Sequence, residues 1–208
     1  MARYTQAVCR LCRREQTKLF LKGEKCYAKC TFDRRPTPPG MAKAQRGKPS
    51  EYQKRLREKQ KLRRMLNMTE QPFRRVMERA ARSPGNSAAV LLRSLELRLD
   101  NIVRRLGLAT SLATARQIVL HRHVRVNGRV VNVPSAEVKV GDVISIDPRM
   151  KENTGIKLAM EFTEKKTPRP AFLEFDVEKL SGKLLREPAR DESSFPVNDQ
   201  LIIEYYSR

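Results

Sequence analysis

The chain has four cysteines, Cys9, Cys12, Cys26 and Cys30, spaced by two, thirteen and three residues. Two short thiol pairs separated by a loop can bring four sulfurs to the corners of a tetrahedron around one ion. Arg10, Arg13, Arg14, Lys18, Lys22, Lys25 and Lys29 lie between or beside them. Zinc held by four thiolates carries a net negative charge, which these cations offset while favouring the thiolate form. If all four sulfurs bind, no ligand position stays open, so the site is structural: a staple for a segment too polar to build its own core. Zinc leads. An iron–sulfur cluster also takes four thiolates, although the ferredoxin spacings differ from this one. Plain reduced thiols and a redox pair are the competing readings, and a redox pair expects a βαβ setting that is not visible here. His121 and His123 lie far off in sequence and are not counted as ligands.

The charge around the thiols continues along the chain. Over 208 residues the formal net charge is +21, with a sequence pI near 10.4, against a magnitude of about 2–8 for an ordinary small domain. Residues 1–100 hold 26 Lys/Arg against 9 Asp/Glu, residues 101–150 hold 8 against 3, and residues 151–208 hold 10 against 11. The first three quarters therefore face a polyanion, because such an excess repels itself in a compact state. The last quarter reads as scaffold or a protein-facing surface. Met1-Ala2-Arg3-Tyr4 leads into no apolar h-region, and no apolar run approaches the ~20 residues of a membrane span. A soluble intracellular protein is expected, without disulfides.

Three polyanions compete. A membrane-surface helix needs an apolar face opposite its basic one, and the helix expected from Ser50 to Leu66 lacks it. DNA readers show a recognition helix, a dimer signal or a finger with His ligands, and none is evident. A broad basic surface without a base-reading motif fits structured RNA, read through shape, phosphate and 2′-hydroxyl groups. Aromatic residues are 6% and Trp is absent, so no base-stacking platform is expected, and stacking would fall to Arg.

Elements must position these charges. Residues 1–49 read as irregular, with Arg34-Arg35-Pro36-Thr37-Pro38-Pro39-Gly40 unable to be helix. The basic stretch from there to Pro49 reads equally as a flexible linker or as an arm that orders on RNA. Ser50 with Gln53 makes a capping box for a helix whose Lys54, Arg55, Arg57, Lys59, Lys61, Arg63 and Arg64 outnumber Glu51 and Glu58. That imbalance points to phosphate. Thr69 can cap a second helix with Phe73, Val76, Met77 and Ala80 on one face, ending near Ser83-Pro84-Gly85-Asn86. Leu92, Leu95, Leu99, Ile102 and Leu106 make a stripe on one helix, with Arg104 and Arg105 in its last turn and Gly107 after it. Ser111 caps a further helix with Leu112, Ala115, Ile118 and Val119 inward. Asn127-Gly128 is the preferred pair for a type I′ hairpin turn, which sets Val124, Val126, Val131 and Val133 on one face. A strand pair is predicted around Gly141-Asp142, from Val138 and Val140 to Ile144 and Ile146. A helix near Ile156–Phe162, a strand through Leu173, Phe175 and Val177, and a terminal strand in "LIIEYYSR" complete the pattern. Phe175, Val177, Ile202 and Tyr206 read as core.

The stretch "RLDNIVRRLGLATSLATARQIVLHRHVRVNGRVVNVPS" resembles the small RNA-binding module named after ribosomal protein S-four. The match includes Arg98-Leu99-Asp100, Ala115-Arg116, His123-Val124, Val126-Asn127-Gly128 and Pro134-Ser135. "CRLCRRE", "RRPTPPG", "LREKQKLRR" and "LIIEYYSR" extend the resemblance nearly end to end to the bacterial S-four family, in its cysteine-containing form. The resemblance implies a structural constituent of the small ribosomal subunit, in the cytoplasm. It implies a primary binder of small-subunit ribosomal RNA where several RNA helices meet, with a part in assembly and decoding accuracy. Implied neighbours are ribosomal proteins including S-five, and mRNA near the point where it enters. Neither a membrane nor a second copy of the chain is implied. Many family members lack the cysteines, and related forms differ by one residue in the last pair.

The class implied is α+β: a mostly helical first domain with an N-terminal four-cysteine metal knob, and an inserted RNA-binding module of two helices and a small antiparallel sheet. The divisions are 1–49 for knob and arm, 50–91 for the helical part, 92–150 for the module, and 151–208 for a segment packing back on the first domain. Beyond Lys54 to Arg64, the RNA-facing candidates are Arg10, Arg13, Arg14, Arg34, Arg35, Arg98, Asn101, Arg105, Arg116, His121, Arg122, His123, Arg125, Asn127 and Gly128. Arg98, Asn101 and Arg105 are placed away from the leucine stripe, and Arg116 is taken as exposed. Two other functions compete: a free RNA-binding regulator or chaperone, and an RNA-modifying enzyme carrying the same module. The enzyme needs a catalytic domain that residues 1–90 are too basic to supply, and no nucleophile–base pair stands out.

Overall fold

The computed structural model describes residues 4–40 and 48–207, so most of the expected basic arm, residues 41–47, lies outside the described residues. In chain order the helices and strands are α1 (Cys9–Glu15), α2 (Lys25–Ala28), α3 (Thr31–Arg34), α4 (Glu51–Met65), α5 (Glu70–Arg82), α6 (Ser87–Glu96), α7 (Leu99–Arg105), α8 (Leu112–Leu120), β1 (Val124–Val126), β2 (Arg129–Val130), β3 (Val143–Ile146), α9 (Thr154–Lys166), β4 (Leu173–Asp176), β5 (Ser181–Leu184) and α10 (Asp199–Tyr206). The chain divides into two compact units, Met1–Leu91 with Phe195–Arg208, and Leu92–Ser194.

In the first unit the amino-terminal segment is not irregular throughout: three short helices, α1 to α3, run through the cysteine region. Ser50 Oγ accepts from the Gln53 amide at 3.2 Å and starts α4, as an N-cap serine does. Leu62, Met65 and Leu66 of that stretch are buried. In the terminal "LIIEYYSR", Leu201 to Tyr206 are helix, not strand. Asn198 Oδ1 accepts from the Gln200 and Leu201 amides and caps α10. Ile202 is then fully buried, and α10 packs along α4. β-rich composition yields here to a local cap and a packing face. In α5, Phe73, Met77 and Ala80 are buried, the inward face that their spacing requires.

In the second unit the leucine stripe is carried by two helices rather than one. The chain breaks helix at Leu97 and Arg98, where backbone groups pair sideways. The Val138 amide donates to Leu97 O at 2.9 Å, and the Leu99 amide donates to Ala136 O at 2.8 Å. All five stripe positions remain buried. Asn127 (φ +50) and Gly128 (φ +79) make the hairpin turn between β1 and β2, both in the left-handed region that a type I′ turn needs. The antiparallel sheet has the order β2-β1-β3-β5-β4. The predicted strand at Val138 and Val140 is absent. β3 pairs instead with β1 (Arg125↔Ser145) and with β5 (Ile144↔Gly182), while Val140 is exposed. β5 has no sequence-level counterpart. At its centre a Cβ on Gly182 would sit 2.3 Å from Leu106 Cδ2, so only glycine lets that strand lie against α7. Val177 lies beyond β4 and is 52% exposed, not core; Phe175 packs partly buried against the core.

Because β4 and β5 bond to β3, residues 151–194 belong to the second unit. The expected segment 151–208 is therefore divided, and only residues 195–208 join the first unit.

Candidate nucleic-acid interface

Helix α4 presents seven cations in sequence, and the fold places a carboxylate beside each, five of them reached from outside the helix. Arg57 and Arg64 both bind Glu15, whose side chain is 1% exposed. Burial pushes the Glu15 carboxyl above its usual range, with Arg64 and Arg57 opposing the shift. Arg55 donates to Glu204 at 2.7 Å, Lys61 to Glu58 at 3.2 Å, and Arg63 binds Gln60 and lies 3.5 Å from Glu70. Lys59 is buried, at 2.7 Å from Glu70 and over the Tyr205 ring at 4.6 Å. Its ammonium faces the unit's own interior, which corrects its placement on an open surface. Lys54 is exposed, paired at 2.6 Å with Glu51. Glu15, Glu70 and Glu204 supply the balance that a count within the helix alone missed.

The module's first candidates are corrected in the same way. Arg98 and Asn101 are buried. Arg98 grips Asp100 through Nε at 3.0 Å and Nη2 at 2.6 Å, and Arg116, taken as the exposed cation, has a 12% exposed side chain 3.5 Å from the same carboxylate. Asn101 donates to Glu96. Arg105 lies 3.8 Å from Glu96 and donates to the Glu192 carbonyl. The Ser194 amide and hydroxyl donate to Glu96 as well. Buried charges persist when paired and hydrogen-bonded, and these two clusters meet that condition.

The hairpin side is more open. His121, Arg122, Asn127 and Gly128 are exposed and His123 is half-buried. Arg122 stands in the left-handed region (φ +65), just past the end of α8, and the two imidazoles lie edge to face at 6.1 Å. Asn127 donates to Asp142 at 2.8 Å and accepts from the Val143 amide, tying the turn to β3. Arg125 is 3.2 Å from Asp147.

In the first unit Arg10, Arg14, Arg34 and Arg35 are exposed, while Arg13 donates to the carbonyls of Thr37 and Pro38 and holds the proline segment against α1. A further group escaped the sequence reading. Arg75, Arg79 and Arg82 are exposed on α5, with no carboxylate partner among the described residues. They stand at i, i+4, i+7 opposite Phe73, Met77 and Ala80, so their spacing could have disclosed them.

The cysteines are reduced, Cys12 and Cys26 buried and Cys9 and Cys30 half-buried. Burial first raises the Cys12 and Cys26 thiols above their ordinary range, and repulsion from the other sulfurs adds to it. Cys12 is thus within electrostatic reach of the other three sulfurs. As they stand, no group of three or more His, Cys, Asp or Glu among the described residues converges as a metal site. The donor chemistry fits a thiophilic ion, and binding one would require the sulfurs to draw together. No described helix is long and apolar enough to cross a membrane.

Comparison with known proteins adds to this geometry. A family profile described as "Ribosomal protein S4/S9 N-terminal domain" matches residues 3–96, and one described as "S4 domain" matches residues 97–144. The chain is 53% identical to small ribosomal subunit protein uS4A of Symbiobacterium thermophilum, with both chains covered in full. It is 49% identical to small ribosomal subunit protein uS4 of Halothermothrix orenii and 48% identical to that of Thermus thermophilus, again over the whole of each chain.

Proposed function

The chain belongs to the S4 family of ribosomal proteins, and we propose from that premise that it is a structural constituent of the small ribosomal subunit that binds its ribosomal RNA. The full-length likeness to proteins named small ribosomal subunit protein uS4 carries the reading. The exposed cations supply the chemistry. Arg10, Arg14, Arg34, Arg35, Arg75, Arg79, Arg82 and Arg122 can neutralise phosphates and release their counterions. Within each unit the internal ion pairs fix the scaffold that presents its share of these cations to RNA, and this supports binding where RNA helices meet, with a part in subunit assembly and decoding accuracy. The role is architectural rather than enzymatic, and its place is the cytoplasmic ribosome. Ribosomal protein neighbours including S-five, and mRNA near the point where it enters, are the partners this reading adds. The near-neutral last quarter of the sequence offers the protein-facing surface. Cys9, Cys12, Cys26 and Cys30 hold one zinc ion or, failing that, an iron–sulfur cluster, which staples the knob and orders Arg10 and Arg14.

Sedimentation of small subunits through high salt tests the reading. The protein should stay with the subunit, since a constituent is held by shape and packing as well as charge. Release at high salt would instead identify a free RNA-binding regulator, whose hold is mainly electrostatic.

A further inference from the structure

The outer face of the sheet carries an ion pair whose two partners are unequally sheltered. Arg125 of β1 approaches Asp147 through Nη2 at 3.2 Å, and the arginine side chain is 40% exposed against 18% for the aspartate. We propose that Asp147 is a positioning residue that holds Arg125 ready for one phosphate of the ribosomal RNA. The inference rests on the RNA-binding reading and adds to it a residue that no count of cations would select.

The register puts the pair on the open face. Val124 lies opposite Ile146, and Arg125 opposite Ser145. Val124 and Ile146 are buried, so Arg125 and Ser145 point away from the core, as alternation along a strand requires. The Asp147 amide donates to His123 O at 2.9 Å, which carries the pairing one residue past β3 and turns Asp147 to the same face as Ser145. Arg125 and Asp147 are then diagonal neighbours, within reach of a long side chain. Asp147 is itself fixed, because its Oδ1 accepts from the Arg149 amide at 3.1 Å. That bond first, and Arg125 second, hold its carboxyl below the usual range, so it is ionised near neutrality.

The Arg125 fork is held on one side and unsatisfied on the other. Asp147 takes Nη2, while Nε is buried with no hydrogen-bond partner among the described residues. An unsatisfied guanidinium N–H asks for an acceptor. The Arg98–Asp100 pair differs, since its side chains are 7% and 1% exposed and the carboxylate takes both Nε and Nη2. That pair is closed inside the unit, whereas Asp147 sits behind an arginine that still faces outward. His121, Arg122 and Arg149 are exposed in the same two stretches of chain. The incoming group is therefore anionic, and the planar fork of arginine suits the oxygens of a phosphate. Ordering the side chain before RNA arrives removes that ordering cost from binding.

The test measures affinity of the full-length protein for small-subunit ribosomal RNA across a salt series. It compares the parent with Asp147→Asn, Arg125→Gln and the double variant, each checked for fold by circular dichroism. Asparagine keeps an oxygen for the Arg149 amide. Removing a negative charge beside RNA should by itself strengthen binding. Positioning predicts the reverse, with Asp147→Asn binding about threefold more weakly. Arg125→Gln should also weaken binding and lower the salt slope by about one. In that background Asp147→Asn should weaken binding no further, because its effect passes through Arg125. Three results would each overturn the positioning role while leaving the RNA-binding reading intact: Asp147→Asn binding as tightly as the parent or more so, an equal loss with and without Arg125, and unchanged affinity on Arg125→Gln. Failure of the parent itself to bind this RNA would overturn both.

Discussion

Arg98 and Asp100, two residues apart where α6 gives way to α7, form a buried two-pronged ion pair with distances of 3.0 and 2.6 Å. Arg116 approaches the same carboxylate from α8 at 3.5 Å. Arg98, one of the RNA-facing candidates of the sequence, instead holds the carboxylate through which Arg116 of α8 is fastened to α7. Arg98→Gln would leave Asp100 short of its main partner, at about 3 kcal/mol. Urea unfolding should show that loss, while the salt slope of RNA binding stays unchanged in the fraction that folds. A variant as stable as the parent with a smaller salt slope would return Arg98 to the RNA surface.

The arginine row on α5 should behave in the opposite way. Replacing Arg75, Arg79 and Arg82 together by Gln removes charges that have no carboxylate partner among the described residues, so the melting temperature should hold. The slope of log affinity against log salt should fall by about one for each phosphate that is no longer neutralised. An unchanged slope would exclude α5 from the interface.

Metal binding should depend on pH. The Cys12 and Cys26 thiols are raised by burial and by their neighbours, so both are protonated near neutrality and must lose protons to bind zinc. Affinity, followed by competition with a chromophoric chelator, should rise with pH over the range in which these thiols ionise. Cys26→Ser should abolish stoichiometric binding. A pH-independent affinity, or full binding by the variant, would exclude these thiols as ligands.

Glu192 provides a pH test remote from the metal. Its carboxyl is lowered to about 2, first by the Arg186 side chain and then by the Ala189 amide. The folded group is more acidic than the unfolded one, whose pKa is about 4.3. Its contribution is therefore complete above that value and fades as pH falls toward about 2. A carboxyl carbon-13 titration should show Glu192 ionised well below the other exposed glutamates, and Arg186→Gln should move it back toward them. Titration of the parent near 4.3 would refute the pairing.

What could be read in advance follows the range of the forces involved. Local signals were legible: the Ser50 cap, the inward face of α5, the Asn127-Gly128 turn and the Ser111 cap each depend on residues a few positions apart. The α6–α7 break was not, because it is made by the distant backbone of residues 136–138. β5 was hidden in Ser-Gly-Lys-Leu, where glycine serves the close approach of Leu106 rather than any strand preference. The site divides along the same line. The basic character of the surface was legible. Which cations stay on it depends on Glu15, Glu70, Asp100 and Glu96 arriving from other helices, and spacing along one helix does not report those arrivals.

The pairing of α10 with α4 bears on the order of events during synthesis. Residues 195–208 belong to the same unit as residues 1–91, and the whole of the other unit is made between them. Residues 92–194 can close their own core as soon as they are made, whereas α4 waits for a helix that follows all of them. The most basic part of the protein thus reaches its final form after the module does, and a chain broken off before α10 holds a whole second unit and an unfinished first one.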